Sequence, residues 1–231
     1  MEKHNVMSYN QSMNPRVKIC CIKSVEEAKM AIAAGASALG LVSSMPSGPG
    51  VISDERVAEI SARVPPGIAT FLLTSKQSVA EIVEQQRNCG TNTIQICDHL
   101  LDGTHVELKK ALPGIGIVQV VHVVDESSVE EARNLANHVD AILLDSGNQS
   151  LSVKELGGTG RTHDWRLSRR IVEEADAPVY LAGGLKAANV VEAVRSVRPF
   201  GLDLCSGVRE KDKLHPRKLQ AFFNALKIVD S

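Results

Sequence analysis

Eight short apolar or β-branched runs alternate with eight amphipathic stretches along this chain, and no other feature restricts its fold as much. The runs are Val17–Ile22, Ala38–Ser43, Ile68–Leu73, Thr93–Cys97, Gly116–Val121, Ala141–Leu144, Val179–Ala182 and Gly201–Cys205. Between and after them lie helical patterns near Val25–Ala34, Asp54–Arg63, Ser78–Asn88, Val106–Ala111, Ser127–Asn137, Asp164–Glu174, Ala187–Val197 and Pro216–Leu226. Strands separated by helices pair in parallel, and a parallel sheet needs both faces covered. Eight such units with no long polar linker predict an α/β fold, a single (β/α)8 TIM barrel over residues 16–231. Residues 1–15 read as a flexible polar extension. Ser24, Ser53 and Ser127 stand where helix N-caps are expected, each followed within a turn by Glu, and Pro216 suits a first helical turn.

The length of 231 residues suits one such barrel. A formal net charge of −1, with no basic block, argues against nucleic acid as a partner. No apolar run is long enough for a membrane span and no secretory core precedes the first strand, so a cytoplasmic location is expected, as monomer or homodimer. Five cysteines are an odd number in a domain of this size, which fits reduced thiols rather than a disulfide framework. Adjacent Cys20 and Cys21 in an extended run should point to opposite faces.

The rim of the barrel carries the chemistry. Gly183 and Gly184 end one apolar run, Ser206 and Gly207 the next, and both pairs precede helical segments. Small residues let backbone N–H groups approach a phosphate, and the last two strands of such barrels are where phosphate sites form. The plainer reading of such glycines is strand termination, but two consecutive loops of this kind favour a phosphorylated ligand. The long loops Ser44–Ile52 and Ser146–Thr162 lie at the same face and are the expected substrate contacts. A zinc site from Cys20, Cys97, Cys205 and His122 has no short ligand spacing behind it, so neither metal nor cofactor is expected. The remaining histidines, His99, His105, His138, His163 and His215, are expected as surface or cap residues.

With these motifs in place, the chain resembles the phosphoribosylanthranilate isomerase family from about Val17 to Leu226. The resemblance rests on KICCI, AGASALGLV, IQIC, LLDS, GGTGRTHDW, LAGGLKAANV and DLCSGV, in that order. It implies an aldose–ketose isomerase of tryptophan biosynthesis, an Amadori rearrangement of a phosphorylated small-molecule substrate, with Cys20 as base and Asp145 as acid. It also implies substrate or phosphate contacts at Gly158, Gly160, Gly183, Gly184, Ser206 and Gly207.

Departures from the family pattern are as specific. Gly50 stands where the family presents an arginine to the anthranilate carboxylate, Cys97 where it has a histidine, and Cys21 where a glycine follows the catalytic cysteine. Arg209 replaces an acid. Arg161 or Arg209 is then the candidate carboxylate contact, and restoring the charge by Gly50→Arg is expected to improve turnover. Two alternatives stay open: a phosphate-binding barrel enzyme acting on a different phosphorylated metabolite, and a non-catalytic metabolite-binding relative.

Overall fold

The computed structural model describes residues 14–147, 154–157 and 160–230. Eight parallel strands close into a barrel in sequence order, β1 (Arg16–Ile19), β2 (Ala38–Val42), β3 (Ala69–Thr74), β4 (Thr93–Ile96), β5 (Gly116–His122), β6 (Ala141–Asp145), β7 (Val179–Leu181) and β8 (Gly201–Leu204), with β8 pairing back onto β1. Helices α1 (Val25–Ala34), α2 (Asp54–Ser61), α3 (Val79–Cys89), α4 (His105–Ala111), α5 (Ser127–Ala136), α6 (Trp165–Glu174), α7 (Val190–Val197) and α8 (Pro216–Leu226) follow the strands one by one. The expected barrel is therefore observed, and α1 and α8 have the expected limits.

Capping explains most of the helix starts. The hydroxyls of Ser24 and Ser53 accept from the backbone N–H groups of Glu27 and Arg56, and Pro216 opens α8. Ser127 departs from expectation: it is the first residue of α5 rather than its cap, and Asp125 Oδ1 accepts from its N–H at 2.8 Å. The Ser127 hydroxyl itself donates to Asp125 Oδ1 at 2.6 Å, so it is engaged upstream instead of accepting from the next turn of the helix. The sequence also gave no sign of a small hairpin after β8, formed by β9 (Arg209–Glu210) and β10 (Lys213–Leu214).

Two apolar layers result. Outward-facing strand residues such as Ile19, Leu39, Leu72, Ile94, Ile142 and Leu202 pack under the helices. The inner layer holds Ala38, Phe71, Val118, Leu143 and Tyr180 in the barrel interior. Phe71, Tyr180 and Phe200 stack edge to face, with ring centroids 5.9 and 5.4 Å apart. No helix among the described residues is long and apolar enough to cross a membrane.

Candidate active site

A cleft opens at the C-terminal end of the barrel, lined by residues from the ends of β1, β2, β3, β4, β6, β7 and β8 and their loops. Its floor is charged. Lys18 and Asp203 are register partners on β1 and β8, and Lys18 Nζ bonds Asp203 Oδ2 at 2.8 Å. Lys18 is 0% exposed and also lies 5.3 Å from the Phe71 ring centroid. Burial alone would lower its pKa, but the Asp203 carboxylate outweighs that and holds the ammonium charged.

Cys20 sits one step above on the same wall. A Cβ on Gly40 of β2 would lie 2.8 Å from Cys20 Sγ and 3.0 Å from Lys18 Nζ, so both groups crowd the space that this glycine leaves. The sequence reading missed Gly40, although an interior strand glycine is a known mark of close approach. The hydrogen bond from the Cys21 thiol and the charge of Lys18 lower the Cys20 pKa, against burial, which raises it. Asp145 ends β6, three strand steps away around the wall through β7 and β8, and burial pushes its carboxyl up to about 6. Gly157, also missed, covers it: a Cβ there would fall 2.6 Å from Asp145 Oδ2.

The two adjacent cysteines do not diverge. β1 stops at Ile19, and Cys21 has a left-handed backbone, φ +62°, which turns its side chain toward Cys20 and Cys205. Hydrogen bonding to Cys20 and Cys205, together with burial, raises the Cys21 thiol well above its ordinary pKa. The expected alternation fails because it assumes extended backbone, and Cys21 is not extended.

The rim glycines converge with the loop after β6. Gly183 and Gly184 have φ +82° and +64°, and added Cβ atoms would lie 3.0 Å from the Arg161 carbonyl oxygen and 2.9 Å from the Gly160 oxygen, respectively. Gly160 packs 3.5 Å from Ser206 Oγ by the same measure. Gly160, Gly183, Gly184 and Ser206 line the cleft; Gly207 instead packs its backbone against Leu185. Gly158 lies outside the described residues.

Other candidates fall elsewhere. Arg209 is buried beside α1, bonded to both carboxylate oxygens of Glu27 at 3.1 and 2.9 Å and to the carbonyls of Cys21 and Asp212. The hairpin folds it away from the cleft. Arg161 pairs with Glu155 and is not a lining residue. Burial raises the Cys97 thiol beyond use as a base near neutrality. His163 is no surface residue, since its Nε2 lies 2.7 Å from Ser168 Oγ beneath the loop and burial lowers it to about 4. His215 does cap α8. Among the described residues no group of three or more His, Cys, Asp or Glu is placed to hold a metal ion.

Gly50 reveals an obstacle to restoring the arginine alone. Its φ is +85°, and a Cβ there would lie 2.9 Å from Cys21 Cα and 3.0 Å from Cys21 Sγ, and closer still to Cys21 Cβ. The expected gain from Gly50→Arg is therefore withdrawn, because the Cys21 side chain occupies the path.

Buried acceptors face the same cleft. Gln95 Oε1 and Asp203 Oδ1 have no donor among the described residues, and both residues line the cleft. Such atoms are costly unless a ligand group completes them. The arrangement therefore offers a depressed thiol, a raised carboxyl, two open acceptors and a small-residue rim around one cavity.

Comparison with known proteins identifies the family. Residues 17–225 match the family profile of N-(5'-phosphoribosyl)anthranilate (PRA) isomerase. The N-(5'-phosphoribosyl)anthranilate isomerase of Haloferax volcanii is 41% identical over 84% of this chain and 84% of its own. The crystal structure of phosphoribosyl anthranilate isomerase from Thermotoga maritima superposes with a TM-score of 0.76 at 30% identity, covering 92% of this chain and 98% of the other. A phosphoribosyl anthranilate isomerase crystallised with reduced 1-(o-carboxyphenylamino)-1-deoxyribulose 5-phosphate does so at 0.74 and 28%, over 92% and 98% of the two chains. With a profile match from the first strand to the last helix and relatives above 30% identity, the chain belongs to the N-(5'-phosphoribosyl)anthranilate isomerase family.

Proposed function

We propose that this protein catalyses the Amadori rearrangement of N-(5'-phosphoribosyl)anthranilate, a cytoplasmic step in making an aromatic amino acid. Cys20 acts as base, Asp145 as acid, and Gly160, Gly183, Gly184 and Ser206 at the rim hold the phosphate. The observation that carries the reading is the pairing, in one cleft, of a thiol whose pKa is lowered with a carboxyl raised to about 6. Such a pair has one member ready to accept a proton and the other ready to give one near neutrality.

In this scheme Asp145 protonates the furanose ring oxygen as the C1–O bond breaks, while the nitrogen lone pair forms the C1=N bond of an iminium. The Cys20 thiolate then removes the proton from C2, and the electrons of that C–H bond flow back to nitrogen, giving an enolamine. Loss of the C2 hydroxyl proton and protonation at C1 yield the aminoketose. Gln95 Oε1 and Asp203 Oδ1 supply acceptors suited to sugar hydroxyls, and the Lys18 ammonium holds the other carboxylate oxygen of Asp203 in place.

The experiment is turnover of N-(5'-phosphoribosyl)anthranilate by the purified chain, followed by loss of substrate fluorescence; no turnover at saturating substrate refutes the proposal. Phosphate placement needs a gentler probe than a bulky residue at Gly184, since a side chain there also breaks the packing against residues 160–162. Ser206→Asp adds only a negative charge at the rim. It is expected to weaken binding of a phosphorylated product analogue by about tenfold or more, and to leave the dephosphorylated analogue unaffected. Equal effects on both analogues place the phosphate elsewhere.

A further inference from the structure

Anthranilate carries a carboxylate, and a carboxylate entering a partly dry cleft needs a cation or several donors. Besides the rim glycines the cleft is lined by Cys21, Val42, Met45, Pro49, Leu73 and Leu156, and by Ser47, whose hydroxyl donates to the Lys154 carbonyl. No described lining residue is Lys, Arg or His, and the two charged ones, Asp145 and Asp203, are acids. Five cations near the cleft are held in ion pairs: Lys23 with Asp212, Lys154 with Asp98, Arg161 with Glu155, Arg209 with Glu27 and Lys18 with Asp203. Residues 148–153 and 158–159 of the loop after β6 contain no basic side chain in the sequence.

The wall is closed by an interlocking pair. The left-handed backbone at Cys21 raises its side chain into the loop after β2, where Sγ lies 3.6 Å from the Pro49 carbonyl oxygen. Gly50, also left-handed, passes against it so closely that any side chain at residue 50 would meet the Cys21 backbone. Thiol and glycine thus complement each other, and together they replace a polar arm by an apolar surface.

We propose that Cys21 and Gly50 are specificity-determining residues, and that the cleft recognises the aglycone of an N-substituted 5-phosphoribosylamine through apolar contact rather than through a carboxylate. The substrate class then includes neutral N-aryl phosphoribosylamines, bound more tightly than the anthranilate derivative. This rests on the isomerase reading for the phosphoribosyl half of the ligand.

The test is calorimetric binding of two inert product analogues to the full chain: reduced 1-(o-carboxyphenylamino)-1-deoxyribulose 5-phosphate and its counterpart lacking the carboxylate. The neutral compound is expected to bind about tenfold tighter, because the carboxylate loses hydration without gaining a partner. Equal or tighter binding of the carboxylate compound overturns the proposal, and so does failure of both to bind. The double variant Cys21→Gly with Gly50→Arg should shift the preference toward the carboxylate by about tenfold or more, whereas Gly50→Arg alone should lose affinity for both. Where the double variant does not fold, Arg161→Ala and Lys154→Ala serve instead. Both should leave the ratio of affinities unchanged, and selective loss of the carboxylate compound in either shows a displaced fork and refutes the assignment. Turnover of the two phosphoribosylamines is measured separately. Binding without turnover of either sinks the isomerase reading while leaving the specificity claim standing.

Discussion

Asp145→Asn is expected to lower kcat by at least about a hundredfold while making the protein more stable near neutral pH. The activity loss follows from removing the proton donor with the shape retained, since Ser146 N–H, which donates to Asp145 Oδ1 at 2.7 Å, can donate equally to an amide oxygen. The stability gain follows from the raised carboxyl. The folded state favours the protonated acid, so its advantage is complete below the unfolded pKa and disappears as pH rises through about 6. A shift from 3.8 to about 6 corresponds to a penalty on the order of 3 kcal/mol for ionised Asp145 at neutral pH. An uncharged Asn escapes it. The melting temperature of the variant minus that of the parent should therefore grow between pH 4 and pH 7. A difference that is flat with pH contradicts the buried-acid assignment. In the parent, one limb of the kcat/KM profile should fall near pH 6 and vanish in Asp145→Asn. Cys20→Ala should cost a similar factor in kcat with little change in KM, and Cys21→Ala much less.

Lys18→Met should be the most destabilising single change at the site. It deletes one partner of a buried ion pair and leaves the Asp203 carboxylate with no cation beside it, a situation that costs about 3–5 kcal/mol. Urea unfolding of parent and variant measures it, and a loss below about 1 kcal/mol would show that Asp203 finds another partner or takes a proton at little cost. The same change removes the positive charge that favours the Cys20 thiolate, so the thiol should titrate at higher pH by ultraviolet absorbance. Lys18→Met combined with Asp203→Asn should recover most of the stability but not the low thiol pKa. Stability and chemistry then separate, since the ion pair holds the barrel floor together while the ammonium adds to the Cys21 hydrogen bond in favouring the thiolate.

The apolar alternation by itself determined the barrel, because eight short buried runs joined by helical segments have one economical closed arrangement, and it placed the strand ends within a few residues. Motifs located the loops that converge on the cleft. What they could not supply is backbone conformation at single residues and the contacts between loops. The left-handed turn at Cys21, the crowding over Gly40 and the roof that Gly157 makes over Asp145 depend on atoms brought together from strands far apart in sequence. Arg209 was a candidate for the cleft on charge alone, but a short hairpin invisible to periodicity sends it to Glu27. Period and polarity are properties of neighbours along the chain, so the sequence fixes which elements form and which face is buried. Side-chain pairing at a closed barrel's mouth is decided only when loops from different strands compete for the same few ångströms.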